Sequence, residues 1–561
     1  MSTAPRRRTG AQILIDQLKI HGADTVFAVP GESYLAVLDA LYDANSIGLV
    51  TCRQEGGAAM MADAYGKLTG RPGLCMVTRG PGASNASAGL HVAMQDSTPL
   101  ILFIGQVARD TMEREAFQEV DYRRMLGQFA KWVAQIDDPR RIPEFLSRAF
   151  SVATSGRPGP VVLALPEDML TEEAAVVDAK PYQPVETWPG TAPMAALRER
   201  LAAAKRPFLL LGGSAWDAGA VASIESFAAA NQLPVGAVFR RQDRFDNAHP
   251  CYAGDVGIGI NPKLAKRIQD SDLLIAVGPR LGEMSTGGYT LIDIPTPKQR
   301  LVHVHADPEE LGRVYQAELP IVATPRAFAR AAAALAPIAD PPWAKETGAA
   351  HEEYLAWRKP PRSPGDIQLG EIMLWLDGQV PADTIFTNGA GNFATWLHRF
   401  HQYRGFGTQL APTSGSMGYG FPAALAAKVV HPDRTVICLA GDGDFLMTGQ
   451  ELATAVQRRL GVIVLIVNNN MYGTIRMHQE RHHPGRVIGT DLHNPDFAAL
   501  ARAYGAHGEV VERTADFAAA FERARAAGGP AVIELRIDPE ALTIRQSLSE
   551  IRAAATSPAG G

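Results

Sequence analysis

The sequence predicts an α/β protein made of three successive doubly wound domains, each with a parallel sheet. Apolar runs of strand length alternate with helical patterns along most of the chain, which is typical of strand–helix–strand units. Pro-containing connectors at residues 180–193 and 341–366 separate three such regions. A length of 561 residues suits three or four domains. We therefore expect domains at residues 1–180, 193–340 and 362–540.

In the first region, helices are predicted over Gln12 to His21 and from Tyr34, on either side of the strand-like TVFAVPG. Further strand candidates are LCMVTRGPG, PLILFIGQV and GRPGPVVLALPEDM. The second region contains the strand candidates RPFLLLGG, DLLIAVGPRL and RLVHVHADPEE. Its Gly-rich turn, LGGSAWDAGA, lacks the G-x-G-x-x-G pattern, which argues against a nicotinamide site.

The third region contains a strand–helix–strand unit with polar residues at both strand ends. The apolar RTVICLA ends in Gly441-Asp442-Gly443, and the apolar VIVLIV ends in Asn468-Asn469-Asn470. Between them, GQELATAVQRRL has Leu452, Val456 and Leu460 at helical spacing.

The ends of these two strands predict a metal site. Adjacent parallel strands bring Asp442 and an Asn of the second turn to the same sheet edge, where open α/β sheets bind ligands. A carboxylate, an amide oxygen and a diphosphate suit Mg²⁺, and backbone N–H groups at a helix start can hold the same diphosphate. Taken alone, Gly-Asp-Gly is also a common turn in a chain with 53 glycines.

Composition excludes several other classes of protein. A net charge of −5 lacks the basic excess of a nucleic-acid binder, so we expect a small-molecule substrate. No apolar stretch is long enough to span a membrane, and the basic N-terminus leads into an amphipathic segment instead of a signal peptide. The four cysteines, Cys52, Cys75, Cys251 and Cys438, form no CxxC pair, which predicts reduced core thiols in a cytoplasmic protein.

The segment from GDG to NN resembles the motif of the thiamine diphosphate-dependent enzymes, and the segment from Arg53 to Val107 closely resembles the first domain of acetolactate synthase. The resemblance to the pyruvate oxidase and acetolactate synthase branch extends over nearly the full chain. It implies two cofactor-binding domains with the thiamine diphosphate-binding fold, which flank a Rossmann-like middle domain. It also implies a homodimer or homotetramer with active sites between subunits.

The resemblance assigns roles to particular residues. Asp442, Asn469 and the backbone carbonyl of Met471 become Mg²⁺ ligands. Glu55 becomes the carboxyl group that activates the cofactor, although without the family match a Glu in the first turn of a helix is the simpler interpretation. Met417 becomes the apolar support of the bent cofactor, where alone it would be a core residue. Further cofactor contacts are implied at Pro30, Gly31, Asn85, Gly389, Ala390, Gly391, Asn392, Gly415, Gly441, Gly443, Asp444, Tyr472 and Gly473.

The implied reaction is decarboxylation of a 2-oxo acid with carboligation to a second carbonyl. Gln106 matches a glutamine near the reacting carbon, and Glu32 is an additional candidate acid or base. The alternative for Gln106 is a structural amide that faces a turn, and the alternative for Glu32 is a Glu that stabilises a helix N-terminus. Lys131 also matches a family position; the alternative to a functional role is a solvated charge on a helix.

Three departures from acetolactate synthase bear on the substrate. Glu283 and Met284 replace an Asp-Arg pair associated with FAD, which makes FAD binding doubtful. His478 replaces a tryptophan of the acceptor pocket, and Glu32 lies where small or amide residues are commoner. A basic run could bind a carboxylate or a coenzyme A phosphate, or could simply form an exposed loop; it consists of Arg476, His478, Arg481, His482, His483 and Arg486. His478 and His482 have the spacing of a metal pair, but a zinc site is not expected.

Other activities remain open. Within the same enzymes, the alternatives are a decarboxylase or aldehyde lyase similar to benzoylformate decarboxylase or benzaldehyde lyase, and a 2-hydroxyacyl-CoA lyase. A noncatalytic regulatory protein that retains the fold is the alternative from a different class.

Overall fold

The computed structural model describes residues 6–556, and the chain divides into two compact units at the step from Val185 to Glu186. The first unit contains one six-stranded sheet and the second contains two. All strand pairs within these three sheets are parallel, as the βαβ pattern requires. The predicted fold class is confirmed.

The first unit has a short antiparallel pair beside its parallel sheet. Its strands are β1 (Arg7–Thr9), β2 (Thr25–Ala28), β3 (Gly48–Thr51), β4 (Gly73–Val77), β5 (Leu100–Gln106), β6 (Trp132–Gln135), β7 (Pro160–Pro166) and β8 (Glu173–Ala175). Its helices are α1 (Gly10–Ile20), α2 (Leu35–Tyr42), α3 (Glu55–Thr69), α4 (Gly80–Asp96), α5 (Tyr122–Leu126), α6 (Ile142–Thr154) and α7 (Glu167–Thr171). The sheet order is β3-β2-β4-β5-β7-β6, and β1 pairs with β8.

The second unit begins with the middle sheet. Its strands are β9 (Pro207–Leu211), β10 (Val235–Val238), β11 (Tyr252–Val256), β12 (Leu273–Val277), β13 (Arg300–His305) and β14 (Leu319–Val322), in the order β11-β10-β9-β12-β13-β14. Its helices are α8 (Thr191–Ala202), α9 (Ala218–Ala230), α10 (Pro262–Asp270), α11 (Pro325–Ala333) and α12 (Ala344–Trp357).

The third sheet carries the Gly-Asp-Gly turn. Its strands are β15 (Ile385–Asn388), β16 (Gln409–Leu410), β17 (Val436–Gly441), β18 (Ile463–Asn468), β19 (His507–Val511) and β20 (Ala531–Arg536), in the order β16-β15-β17-β18-β20-β19. Its helices are α13 (Leu369–Gln379), α14 (Ala394–Phe400), α15 (Gly420–Val430), α16 (Asp442–Phe445), α17 (Leu452–Gln457), α18 (Gly473–His482), α19 (Phe497–Ala503), α20 (Thr514–Ala526) and α21 (Leu548–Thr556).

The central strands are buried on both faces, which explains why their sequences read as continuous apolar runs. Every residue of β5, β12 and β18 is buried. Helices cover both faces of such a sheet, so side chains on either side of the strand enter a core. Among residues 6–556, no helix combines the length and the apolar character needed to cross a membrane.

One local prediction is wrong. The helix predicted through Leu460 ends at Gln457, and its buried residues are Leu452, Thr454 and Ala455. Arg459 adopts a positive φ of 52°, which ends the helix before the predicted stripe is complete. The polar and Pro-rich segment at residues 341–366 contains α12, because Trp343, Ala350 and Tyr354 supply it with a buried face.

Candidate active site

The candidate site lies at the carboxyl edge of the third sheet, where the strand order reverses. The chain leaves β15 to form β16 on one side and returns to form β17 on the other. The turns after β15 and β17 therefore diverge, and they leave a crevice of the kind in which open α/β sheets bind ligands. Gly389 follows β15 directly and Asp442 follows β17 directly, so both lie at this crevice.

A cavity of about 240 Å³ occupies the crevice. It brings together most of the residues that the sequence assigned to the cofactor and metal from the third domain. The predicted residues that line it are Ala390, Gly391, Asn392, Gly415, Met417, Gly441, Asp442, Gly443, Asp444, Asn469, Met471, Tyr472 and Gly473.

The two asparagines after β18 have different roles. Asn468 Nδ2 donates to the buried Glu534 Oε1 at 2.8 Å, and Asn468 Oδ1 accepts from the backbone N–H of Asn470 at 3.0 Å. These bonds hold its side chain within the sheet. Asn469 instead lines the cavity, where its Oδ1 accepts from Met471 N at 3.2 Å. A carbonyl oxygen has a second lone pair, so Asn469 Oδ1 can still ligate a cation.

Asn494 is a part of the site that the sequence analysis missed. Its Nδ2 donates to Asp442 Oδ2 at 2.7 Å and to Asn468 Oδ1 at 3.0 Å. It therefore orients the carboxylate from a position 52 residues further along the chain. The sequence signal at this position is an Asn-Pro dipeptide, which marks a turn and says nothing about its partner.

The burial of Asp442 favours binding of a cation to its carboxylate. The side chain is almost completely buried, and burial raises its pKa because the charged form loses water; hydrogen bonds from Gly443 and Asn494 offset part of this rise. A divalent cation between Asp442, Asn469 and the Met471 carbonyl would compensate the buried charge. Within residues 6–556, no three or more His, Cys, Asp and Glu residues are grouped so that they could hold a metal ion. A cation at this site would therefore need amide and carbonyl oxygens as ligands beside the carboxylate.

Asp444 organises the opposite wall of the cavity. Its Oδ1 accepts from Gly418 N at 2.8 Å and from Ala390 N at 3.1 Å, which ties two cavity loops to the Gly-Asp-Gly turn. Burial raises its pKa to about 6. A Cβ on Gly389 would lie only 2.0 Å from Asp444 Oδ1, so glycine is required there for this carboxylate to fit.

Met417 lies on a turn between two glycines with positive φ, Gly415 at 71° and Gly418 at 78°. Thr448 Oγ1 donates to the Gly418 carbonyl at 2.7 Å and fixes the end of the turn. The Met417 side chain is only half-buried and faces the cavity. It is therefore exposed to a ligand instead of being packed in the core.

The start of α18 forms another part of the cavity. Gly473, Thr474 and Ile475 line it, and the N–H groups of a first helical turn have no partner within the helix. Thr474 Oγ1 accepts from Asn392 N at 3.0 Å, which connects this helix start to the loop after β15. The Gly473 N–H donates to the Met471 carbonyl at 2.9 Å, so the helix dipole and the N–H groups that follow it are what favour a phosphate there.

In the first unit, the predicted residues lie at the carboxyl ends of β2, β3 and β5 and, for Asn85, on α4 after β4. Glu55 is the first residue of α3, in the position that a simple helix-terminal Glu would take. Its Oε2, however, accepts from Asn85 Nδ2 at 2.9 Å, so two predicted residues contact each other. Gly82 lies beside this carboxyl group: a Cβ there would be 3.4 Å from Glu55 Oε1 and 3.0 Å from Thr78 Cγ2.

Gly31 and Glu32 follow β2 on the turn after Pro30. A Cβ on Gly31 would lie 2.5 Å from Thr78 Cβ, so the turn requires glycine for its approach to the end of β4. The Glu32 side chain is 73% exposed and begins a 3-10 turn that extends to Tyr34. It lies 3.5 Å from the buried guanidinium of Arg79, which also pairs with Glu167 at 3.1 Å.

The other two matched positions make contacts within the first unit. Gln106 is buried at the end of β5, where its Nε2 donates to the Val120 carbonyl at 3.0 Å and its Oε1 accepts from Val107 N. Lys131 Nζ donates to the carbonyls of Val152 and Ser155 at the end of α6. The predicted alternative of a solvated charge is wrong for Lys131, because these carbonyls hold the ammonium group.

His478, Glu283 and Met284, which the sequence analysis interpreted as departures from acetolactate synthase, are not among the residues that line the cavity. His478 is exposed on α18, and its ring stacks on His482 with centroids 6.3 Å apart. Glu283 begins a 3-10 turn that includes Met284. Arg476 is bound by Glu480 at 3.1 Å, and Glu480 also pairs with Arg552 at 2.7 Å, so part of the basic run fixes α18 to α21.

Three domain families match the chain in order. They are the thiamine pyrophosphate enzyme N-terminal TPP binding domain at residues 8–125, the central domain at 194–332, and the C-terminal TPP binding domain at 389–535. The flanking domains that carry the candidate residues are therefore the thiamine pyrophosphate-binding ones. The predicted arrangement of two cofactor-binding domains around a middle domain is confirmed.

Curated relatives match over nearly the whole chain. The acetolactate synthase isozyme 2 large subunit of Escherichia coli (strain K12) is 33% identical, over 94% of this chain and 95% of its own length. The acetolactate synthase large subunit of Parasynechococcus marenigrum is 35% identical, over 90% and 84%. The probable acetolactate synthase large subunit of Methanocaldococcus jannaschii is 31% identical, over 94% and 92%. The chain belongs to the thiamine pyrophosphate enzymes, and within them to the acetolactate synthase large subunit family.

Proposed function

We propose that this protein is a thiamine diphosphate- and Mg²⁺-dependent enzyme that decarboxylates a 2-oxo acid and joins the remaining fragment to a second carbonyl. The observation that carries the proposal is the convergence of Asp442, Asn469 and Met471 on a cavity within a matched cofactor-binding domain. The acetolactate synthase names of the relatives support the choice of reaction.

The residues of the third domain fit this cofactor and its cation. Asp442, Asn469 and the Met471 carbonyl would hold Mg²⁺, while the first N–H groups of α18 would bind the diphosphate. Met417 would support the cofactor from its half-buried turn. When bound, thiamine diphosphate supplies the carbanion chemistry that cleaves the bond beside a carbonyl.

In the first unit, we propose that Glu55 is the group that activates the cofactor. Asn85 donates to Oε2, so Oε1 is the oxygen on which Glu55 can hold a proton. Pro30, Gly31 and Asn85 would contact the cofactor beside it. Gln106 and Glu32 are proposed to act near the reacting carbonyl. If Glu32→Gln left the pH profile of turnover unchanged, Glu32 would not be an acid or base of the reaction.

We further propose a homodimer or homotetramer in the cytoplasm that turns over without FAD. Four buried free cysteines suit a reducing compartment. Flavin absorbance in the purified protein would contradict turnover without FAD. Analytical ultracentrifugation measures whether the protein is a dimer or a tetramer.

The reaction is tested by proton NMR of the purified protein with thiamine diphosphate, Mg²⁺ and pyruvate, which identifies the product directly. Acetolactate is the expected product. Acetaldehyde alone would favour a decarboxylase, and unconsumed pyruvate with bound cofactor would exclude pyruvate as the donor. The matched control is Glu55→Gln, which should bind the cofactor and lose most turnover.

A further inference from the structure

A second cavity adjoins the candidate active site within the second unit. It has a volume of about 350 Å³, and Asn392 lines both cavities. One wall comes from the middle sheet, from Ala253 to Leu264, and the other from α14, α18 and residues 543–546. Nothing in the cofactor or cation assignment uses this space.

Three arginines line this second cavity: Arg399 on α14, Arg481 on α18 and Arg545. The guanidinium carbons of Arg399 and Arg545 lie 3.7 and 5.0 Å from the centre of the same Trp357 ring. Partial burial, together with the nearby charge of Arg545, lowers the pKa of Arg399 to about 10, so it stays charged at neutral pH. Two cations are therefore held close together on one indole.

These arginines lack acidic partners in the part of the chain that the structure describes. Arg399 Nε donates to the Trp357 carbonyl at 2.9 Å, and Arg545 Nη2 donates to the Ile260 carbonyl at 3.2 Å. Neither contact neutralises a charge, and Arg481 forms no ion pair with residues 6–556. Clustered guanidinium groups without carboxylates are suited to carboxylates or phosphates, which accept two parallel hydrogen bonds.

Asp255 is the one acidic residue among those that line the cavity. Its Oδ1 is buried without a hydrogen-bond partner in the described chain. Burial raises its pKa to about 7, so near neutral pH it is partly protonated and balances little of the positive charge. In the protonated form it can donate a hydrogen bond to an oxygen of a ligand.

The remaining walls are apolar and suit a carbon chain. Ile258 is exposed although it is a large aliphatic residue, and Ile260, Leu264 and Met477 line the same space. Met477 also contacts Asn392, whose Nδ2 lies 3.5 Å from its sulfur. These apolar residues therefore line the same cavity as Asn392 and the arginines.

We propose that this second cavity binds an anionic group, a carboxylate or a phosphate, at the end of the substrate remote from the reacting carbonyl. The inference rests on the proposed function for the position of the reacting end. The substrate class is then a 2-oxo acid, or a partner carbonyl compound, that carries a further negative charge. The two sources of that charge are a dicarboxylic acid and the phosphates of a coenzyme A-like nucleotide.

The test is calorimetric binding of two non-reacting anions, glutarate and adenosine 3′,5′-bisphosphate, to the protein loaded with thiamine diphosphate and Mg²⁺. Arg481→Gln removes an exposed arginine that forms no hydrogen bond or ion pair with residues 6–556. We expect one anion to bind the wild type and its Kd to rise about ten- to hundredfold in Arg481→Gln, as for loss of a charged hydrogen bond. The anion that binds identifies the source of the charge.

Arg486→Gln is the matched control, because Arg486 is exposed in the same basic run but does not line the cavity. Its Kd should equal that of the wild type, and Arg481→Lys should retain part of the affinity. Absence of binding by both anions, or equal affinity in Arg481→Gln, would overturn the proposal. Binding without any 2-oxo acid turnover would instead refute the proposed function and leave the anion site standing.

Discussion

Asn494 donates one amide hydrogen bond to the Asp442 carboxylate at 2.7 Å, across 52 residues of chain. The same Nδ2 lies 3.0 Å from Asn468 Oδ1. The carboxylate proposed to hold Mg²⁺ is therefore oriented by a residue that does not itself line the cavity.

Replacing Asn494 should weaken cofactor binding without unfolding the protein. In Asn494→Ala, Asp442 loses the bond that fixes its oxygens, so the affinity for thiamine diphosphate with Mg²⁺ should fall about ten- to hundredfold, as for other partners of metal ligands. Titration followed by tryptophan fluorescence measures this affinity. The control is His493→Ala, which removes the exposed neighbouring side chain. Equal affinities in the two variants would show that Asn494 does not orient Asp442.

Gly389→Ala should disrupt the cavity wall. The added methyl would lie 2.0 Å from Asp444 Oδ1, so the carboxylate or the loop must move. We expect a loss of about 1–3 kcal/mol in the free energy of unfolding, together with weaker cofactor binding. Denaturant unfolding and the fluorescence titration measure the two effects.

Gly378→Ala is the control for that substitution. Gly378 lies within α13, and a Cβ there meets nothing within 4 Å. This variant should be as stable as the wild type or slightly more stable, because alanine is the better helix former. Equal stability of Gly389→Ala and Gly378→Ala would mean that Asp444 does not restrict the loop.

The partly buried Asp255, whose Oδ1 is shielded from solvent, should make the stability depend on pH. Burial raises its pKa from 3.8 to about 7, so the folded protein binds this proton more tightly than the unfolded chain. Through this group, the free energy of unfolding falls as pH rises from about 4 to about 7, by about 1.4 kcal/mol per pKa unit of difference. Asp255→Asn cannot ionise and should lose this dependence.

The measurement compares the unfolding free energy of Asp255→Asn with that of the wild type at about pH 4.5 and about pH 8. The variant should gain relative stability at the higher pH. Asp433→Asn, which changes an exposed carboxylate, should show a nearly constant difference. A constant difference for Asp255→Asn as well would contradict the burial of its charge.

Two inactive variants should restore activity when they are combined, if one active site uses Glu55 and Asp442 from different subunits. Glu55→Gln and Asp442→Ala, each inactive alone, would then produce a mixed dimer with one intact site. Co-expression with two affinity tags and purification through both isolates that dimer. Its activity per dimer should be about half that of the wild type, since one of two sites is intact. Activity no higher than that of either variant alone would contradict an active site shared between subunits.

The periodicity of apolar residues was enough to predict the fold class, because strand and helix periodicity are local properties. The apolar runs at β17 and β18 predicted buried parallel strands, and the turns after them predicted Asp442 and an Asn at one edge. Family resemblance then supplied roles for Glu55 and Met417, which periodicity could not. The apolar spacing predicted a helix through Leu460 that is too long, because the spacing of apolar residues gives no sign of the positive φ at Arg459.

Which side chains meet could not be predicted in this way, because it depends on the packing of the whole domain. Asn468 bonds to Glu534 and Asn469 faces the cavity, although the two are adjacent and chemically identical. Asn494 reaches Asp442, and Arg399 approaches Arg545 on Trp357, over separations of 52 and 146 residues. Such contacts depend on how the helices and loops close around the sheet, and the free energy that favours them comes from packing and burial that no local pattern contains.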